Sequence, residues 1–142
     1  MDKEKPPVLL DNASNLDALT KTFLGIRLLH YQRPLKGFVL ILGVAAPLNV
    51  AELLKGVRYL LKKVPGEVFF VPLPGRDSVE MAKLLEVAKD LNIHARHFGS
   101  IAEALPSAKD AVDEREGLVA VAGSSSLITE YWQTRGAKKL IV

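Results

Sequence analysis

The chain has 142 residues, a formal net charge of +3, 49% hydrophobic and 25% charged side chains, and no cysteine. That length and apolar fraction fit one globular core, so a single domain over 1–142 is expected and a disordered chain is excluded. The lack of cysteine rules out disulfides, thiolate nucleophiles and Cys-ligated metals; it suits a reducing compartment, so a cytoplasmic protein is expected.

Lys and Arg are interleaved with Asp and Glu along the chain. Mixed signs of this kind read as solvated faces, and no nucleic-acid partner is expected. The longest apolar runs, such as Gly37–Gly43, fall far short of the ~20 residues that span a bilayer, and Met1–Pro6 has no signal-peptide character. No membrane partner is expected, and no internal repeat is present.

In chain order, Val8–Leu10 reads as a first strand, followed by a helix whose stripe is Leu16, Leu19, Phe23 and Ile26 and whose cap is Asn15. His30 stands near the end of that helix. Phe38–Leu42 is a second strand. Val50, Leu53, Leu54, Val57, Leu60, Leu61 and Val64 then form one continuous stripe at helical spacing, capped by Asn49. Glu67–Val71 is a third strand, and Met81, Leu84, Leu85, Ala88 and Leu91 mark a helix capped by Asp77 or Ser78. Ile93–His97 is a fourth strand; His94 and His97, three apart, point to opposite faces and make no metal pair.

Between Ile101 and Val112, Pro106 predicts a turn and a helical restart, because proline lacks the amide that a helix interior uses. Leu118–Ala122 is a fifth strand. The last helix is expected to start between Ser124 and Ser126, to bury Leu127, Ile128, Tyr131 and Trp132, and to close at Gly136. Lys139–Val142 offers a sixth strand. Apolar runs alternating with helical segments predict a mostly parallel sheet with helices on both faces, its second, third and fifth strands central.

In such a sheet ligands gather beyond the carboxyl ends of the strands, where loops and helix N-termini converge. The loops in question are Asp11–Asn15, Gly43–Leu48, Pro72–Arg76, Phe98–Ser100 and Gly123–Ser126. Gly123–Ser126 combines a close-approach glycine, three hydroxyls and a fresh helix N-terminus, which suits a carboxylate or phosphate oxygen; serine also caps helices, so capping is the competing reading. Asp11 could meet a ribose hydroxyl or a cation's water shell, or cap the next helix. Arg76 could clamp an anion or simply be exposed. No G-x-x-x-x-G-K-S/T, G-x-G-x-x-G, G-x-S-x-G or H-E-x-x-H occurs, so neither a phosphate cradle nor a catalytic nucleophile is recognised, and no catalytic or metal-binding residue is expected.

Taken together, Leu9–Ala18 resembles the D-G-A-H-N-P-x-A opening of the C-terminal domain of Mur-type amide ligases, and within that superfamily is similar to folylpolyglutamate/dihydrofolate synthase. Gly123–Glu130 resembles that domain's G-S-L-Y-L-V-G-E, and Pro72–Arg76 is similar to its proline-rich loop ending in Arg. The resemblance covers nearly the whole chain. It departs at Asn12 for Gly, at Ser14 for His, and at Ser125, Ser126 and Thr129 for Leu, Tyr and Gly; Gly43–Asn49 lacks the charged D-K-D.

The resemblance implies a three-layer α/β/α Rossmann-like sandwich with a mostly parallel six-stranded sheet, one strand antiparallel. It implies that a central domain, absent from this chain, uses ATP and Mg to activate a carboxylate as an acyl phosphate, which the amine of an incoming glutamate attacks. By the same resemblance Ser14, Ser124 and Arg76 hold the amino acid, while Asp11 and Asn15 face the nucleotide. This chain alone then needs no cofactor, and its partners are glutamate and the ATP-binding central domain. Two alternatives are a diverged, non-catalytic protein-interaction module of the same fold and the C-terminal domain of a muramyl peptide ligase, whose hydroxyl at this place Ser14 resembles.

Overall fold

Ten elements alternate along the chain: β1 (Val8–Asp11), α1 (Leu16–Gln32), β2 (Phe38–Gly43), α2 (Val50–Lys63), β3 (Glu67–Phe70), α3 (Met81–Asp90), β4 (Ala95–His97), α4 (Ile101–Asp110), β5 (Leu118–Gly123) and α5 (Ser125–Thr134). The computed structural model describes residues 6–13, 15–45, 49–73 and 80–134.

The strands form one sheet in the order β1-β5-β2-β3-β4, with every described pairing parallel. The handedness of parallel crossovers then places the helices. From β1 to β4 the chain steps across the sheet in one direction, so α1, α2 and α3 share a face. The return from β4 to β5 runs the other way, and α4 has to cross on the opposite face, where α5 joins it. The packing obeys this rule. Phe38, Leu40, Leu42, Val68, Phe70 and Ala120 meet α1–α3 in one core, whereas Val39, Ile41, Phe69, Val71, Val119 and Val121 meet Ile101, Ala104, Leu127 and Tyr131 of α4 and α5 in another.

The two innermost strands, Phe-Val-Leu-Ile-Leu-Gly and Leu-Val-Ala-Val-Ala-Gly, are buried at every residue because helices cover both faces. Asn15 and Asn49 cap α1 and α2 as the sequence predicts, each side-chain oxygen accepting the amide three residues on, at 2.8 and 3.0 Å. The three-layer α/β/α class is therefore the observed one, and β2, β3 and β5 are central. The expected sixth strand, Lys139–Val142, lies outside the described residues, as do Asp77 and Ser78 as caps of α3 and Gly136 as the stop of α5. No antiparallel strand occurs among the described residues, where Glu80 precedes α3 without a side-chain cap.

Two expectations need correction. Pro106 does not break the segment after β4, which is one helix, Ile101–Asp110. Proline removes the amide that would reach the carbonyl of Ala102, and both residues are on the exposed side, where water can serve that carbonyl. Trp132 is not core: it is 36% exposed and meets Tyr131 edge-on at 5.3 Å. Leu127 and Tyr131, four apart, point at the sheet, and the next residue turns about 100° away. Among the described residues no helix is long and apolar enough to cross a membrane.

Candidate functional site at the carboxyl edge

β5 is flanked on both sides by strands whose chains leave for the other face. α5 follows β5 onto one face, while α1 and α2 follow β1 and β2 onto the opposite one, which opens a crevice at the carboxyl end of β5. The loops there converge. Gly43 pairs with Gly123 in register, and the Ser124 amide donates to the Gly43 carbonyl at 3.2 Å. A Cβ built on Gly43 would stand 3.1 Å from a methyl of Leu73, a methyl of Leu127 and the carbonyl oxygen of Val71. The exits of β2, β3 and β5 thus meet at a point where only glycine fits without displacement.

On the other side of β5, Asp11 lies opposite Ala122 in the β1–β5 register, so the loops carrying Asp11 and Ser124 leave the same edge. The Asp11 Oδ2 accepts from the hydroxyl of Thr22 at 2.7 Å, and Thr22 is 8% exposed. Asp11 is therefore fixed to α1 rather than capping it; Asn15 does the capping. Asp11, Thr22 and Lys21 line a groove of about 520 Å³ between β1 and α1. Ser14 and Arg76 lie outside the described residues.

Ser124 is buried, with 2% exposure. Its Oγ is 3.2 Å from the Ser126 hydroxyl and accepts the Ser126 amide at 3.4 Å, while its carbonyl accepts from Leu127 at 2.9 Å. That is the bonding of a helix start. Ser125 is exposed and Ser126 half-buried beside the positive end of α5, the Ser126 hydroxyl lying against that of Ser124. The Phe98–Ser100 loop is committed to capping. Glu103 Oε1 accepts the Gly99 amide at 3.1 Å and Ser100 Oγ accepts the Glu103 amide at 3.3 Å, a variant of the capping box in which the acid reaches the residue before the cap.

Two polar residues at this end escaped the sequence reading. Thr22 falls on the buried stripe of α1 with Leu19, Phe23 and Ile26, and a hydroxyl on an apolar stripe was the available signal. Glu130 lies one turn beyond Ser126 on α5. Its Oε1 is buried with no hydrogen-bond partner, and burial raises its carboxyl above the ordinary value. Below the unfolded-state pKa this group is protonated in both states and is harmless; as pH rises through the folded value, forming the buried charge erodes stability. Glu130→Gln is expected to melt above the parent at about pH 7.5 and level with it near pH 3.5. Thermal melts followed by circular dichroism check this, and an equal difference at both pH values would contradict it.

No group of three or more His, Asp or Glu that could hold a metal ion is found among the described residues, and the sequence has no phosphate-cradling glycine loop. What the edge offers is hydroxyls, backbone amides and a helix dipole, a set suited to binding and orienting a carboxylate.

No protein-family model matches the chain, and no curated protein sequence does either. Solved structures do match. A bifunctional folylpolyglutamate synthase/dihydrofolate synthase from Yersinia pestis, complexed with AMPPNP and Mn, superposes with a TM-score of 0.69 at 21% identity, covering 96% of this chain and 30% of that one. FolC of E. coli in complex with ADP gives 0.72 at 24% identity, covering 96% and 30%. The folylpolyglutamate synthase of Mycobacterium tuberculosis complexed with ADP gives 0.71 at 14% identity, covering 92% and 30%. The chain thus has the fold of one part of these enzymes and spans 30% of their length.

Proposed function

We propose that this chain is the amino-acid-binding domain of an ATP-dependent amide ligase of the folylpolyglutamate/dihydrofolate synthase type, holding the carboxylates of an incoming glutamate at the carboxyl edge of β5. The observation that carries this reading is the parallel pairing of β1 with β5, which sends the Asp11 and Ser124 loops off one edge beside the N-terminus of α5. Ser14 and Arg76 meet the glutamate carboxylates together with the hydroxyl of Ser126, which Ser124 positions. Asp11 and Asn15 lie on the side facing the nucleotide. ATP and Mg belong to a separate central domain, where the acceptor carboxylate is activated; this chain binds the amino acid, orients its amine and is inactive alone.

Titration of the chain with L-glutamate, followed by amide NMR shifts, is expected to give weak binding, with Kd on the order of 1 mM. Ser126→Ala is expected to weaken it about tenfold, the loss of one hydrogen bond to a charged group. An unchanged spectrum at about 10 mM ligand would end this reading. D-glutamate binding in preference to the L form would move the chain to the muramyl-ligase type.

A second reading, a non-catalytic module that meets a protein, draws on a stripe of α1: Leu24, Leu28 and Tyr31 are 47%, 53% and 86% exposed. It predicts no response to glutamate and a stable complex in a pull-down that Leu28→Glu disrupts.

A further inference from the structure

We propose a second ligand site, at the amino edge of the sheet, for a small amphipathic oxyanion. A cavity of about 500 Å³ opens between the end of α1, the loop into β2 and the turn that leads into β5. Leu29, Leu35 and Leu118 supply apolar walls, and Arg33, Lys36 and Arg115 bring positive charge to the same recess.

The charges are only partly cancelled from within, although Glu116 also lines the recess. Lys36 is engaged by Glu116 at 2.8 Å. Of the other two acids of the turn, Asp113 accepts the backbone amides of Arg115 and Glu116 at 2.9 and 2.7 Å and is also attracted by Lys36 and Arg115, and Glu114 is exposed. Neither Arg33 nor Arg115 has an ion-pair partner among the described residues. Two arginines without an ion pair among the described residues thus border an apolar recess, a combination suited to an oxyanion head on an apolar body.

The walls are also set in advance. The Lys36 amide donates to the Glu116 carbonyl and the Asp113 amide to the Lys36 carbonyl, both at 2.9 Å, while the Leu35 amide donates to His30 Nδ1 at 3.0 Å. A preformed recess of this size loses little ordering entropy on binding. The carboxyl end of α1 repels an anion, which directs the head toward Arg115 and lays the tail against Leu29 and Leu35. The five steps of β5 from Leu118, which lines the recess, to Gly123 span about 17 Å, so the recess stands apart from the carboxyl edge.

Octanoate, octyl phosphate and the neutral octanamide are the probes, titrated into the full chain and followed by amide shifts. Octanoate or octyl phosphate is expected to move Lys36, Gly117 and Leu118, and the better of the two identifies the head group. The double variant Arg33→Ala/Arg115→Ala, with an unchanged circular dichroism spectrum, is expected to weaken binding about tenfold or more. The proposal fails if neither anion shifts these amides, if octanamide binds as well as octanoate, or if the shifts gather on Leu24 and Leu28 instead.

Discussion

Gly123→Ala is expected to lower the melting temperature by about 10 °C, a loss on the order of 3 kcal/mol. Gly123 has φ +139, a region closed to side chains, and a Cβ there would overlap the carbonyl oxygen of Gly43. The obstacle is backbone on a buried neighbouring strand, so it cannot swing aside as a side-chain tip would. Relief requires parting β5 from β2 at the point where both enter the proposed binding edge. Gly25→Ala is the matched control: a Cβ there meets nothing within 4 Å, and helix propensity favours alanine by about 0.5–1 kcal/mol. Thermal melts of the two variants are expected to move in opposite directions. A Gly123→Ala protein that melts with the parent would contradict the close approach of the two strands.

Phe69→Ala is expected to remove about 3–5 kcal/mol, a large share of the 5–15 kcal/mol typical of a domain. Phe69 is fully buried in β3, its ring centroid 4.8 Å from that of Phe98, and the Arg96 guanidinium lies over both rings at 4.9 and 5.2 Å. Truncation therefore leaves a cavity between the sheet and α4 and α5, and it also removes a face on which Arg96 rests. Phe98→Ala, at a half-buried position, is expected to lose less. Urea unfolding measures both, and a loss below about 1 kcal/mol for Phe69→Ala would show that this core relaxes to fill the space.

The parts of the fold legible in the sequence are those fixed by local pattern. The unbroken apolar runs of β2 and β5 announced strands covered on both faces, and the spacing of Val50 to Leu61 and the asparagines at 15 and 49 announced α2 and the starts of two helices. Pro106 misled because the rule against proline in a helix weakens when the orphaned carbonyl faces water. Trp132 misled because its phase on α5, one residue past Tyr131, points away from the sheet.

At the site, the loops were identifiable by composition, yet their bonding was not. Nothing local in Ser124–Ser126 distinguishes the buried serine that organises the helix start from the more exposed ones, since that depends on the approach of Gly43 from a strand some 80 residues away in the sequence. The hold of Thr22 on Asp11 and the unpaired oxygen of Glu130 likewise depend on tertiary packing.

The central claim is that the turns leaving β1 and β5 face one shared carboxylate. Mapping the amide shifts caused by L-glutamate across the chain tests it most directly. Asp11–Asn15 and Gly123–Ser126 should move together along one saturation curve; movement of only one of these turns, or shifts centred on Lys36 and Gly117 at the opposite end of the strands, would contradict it.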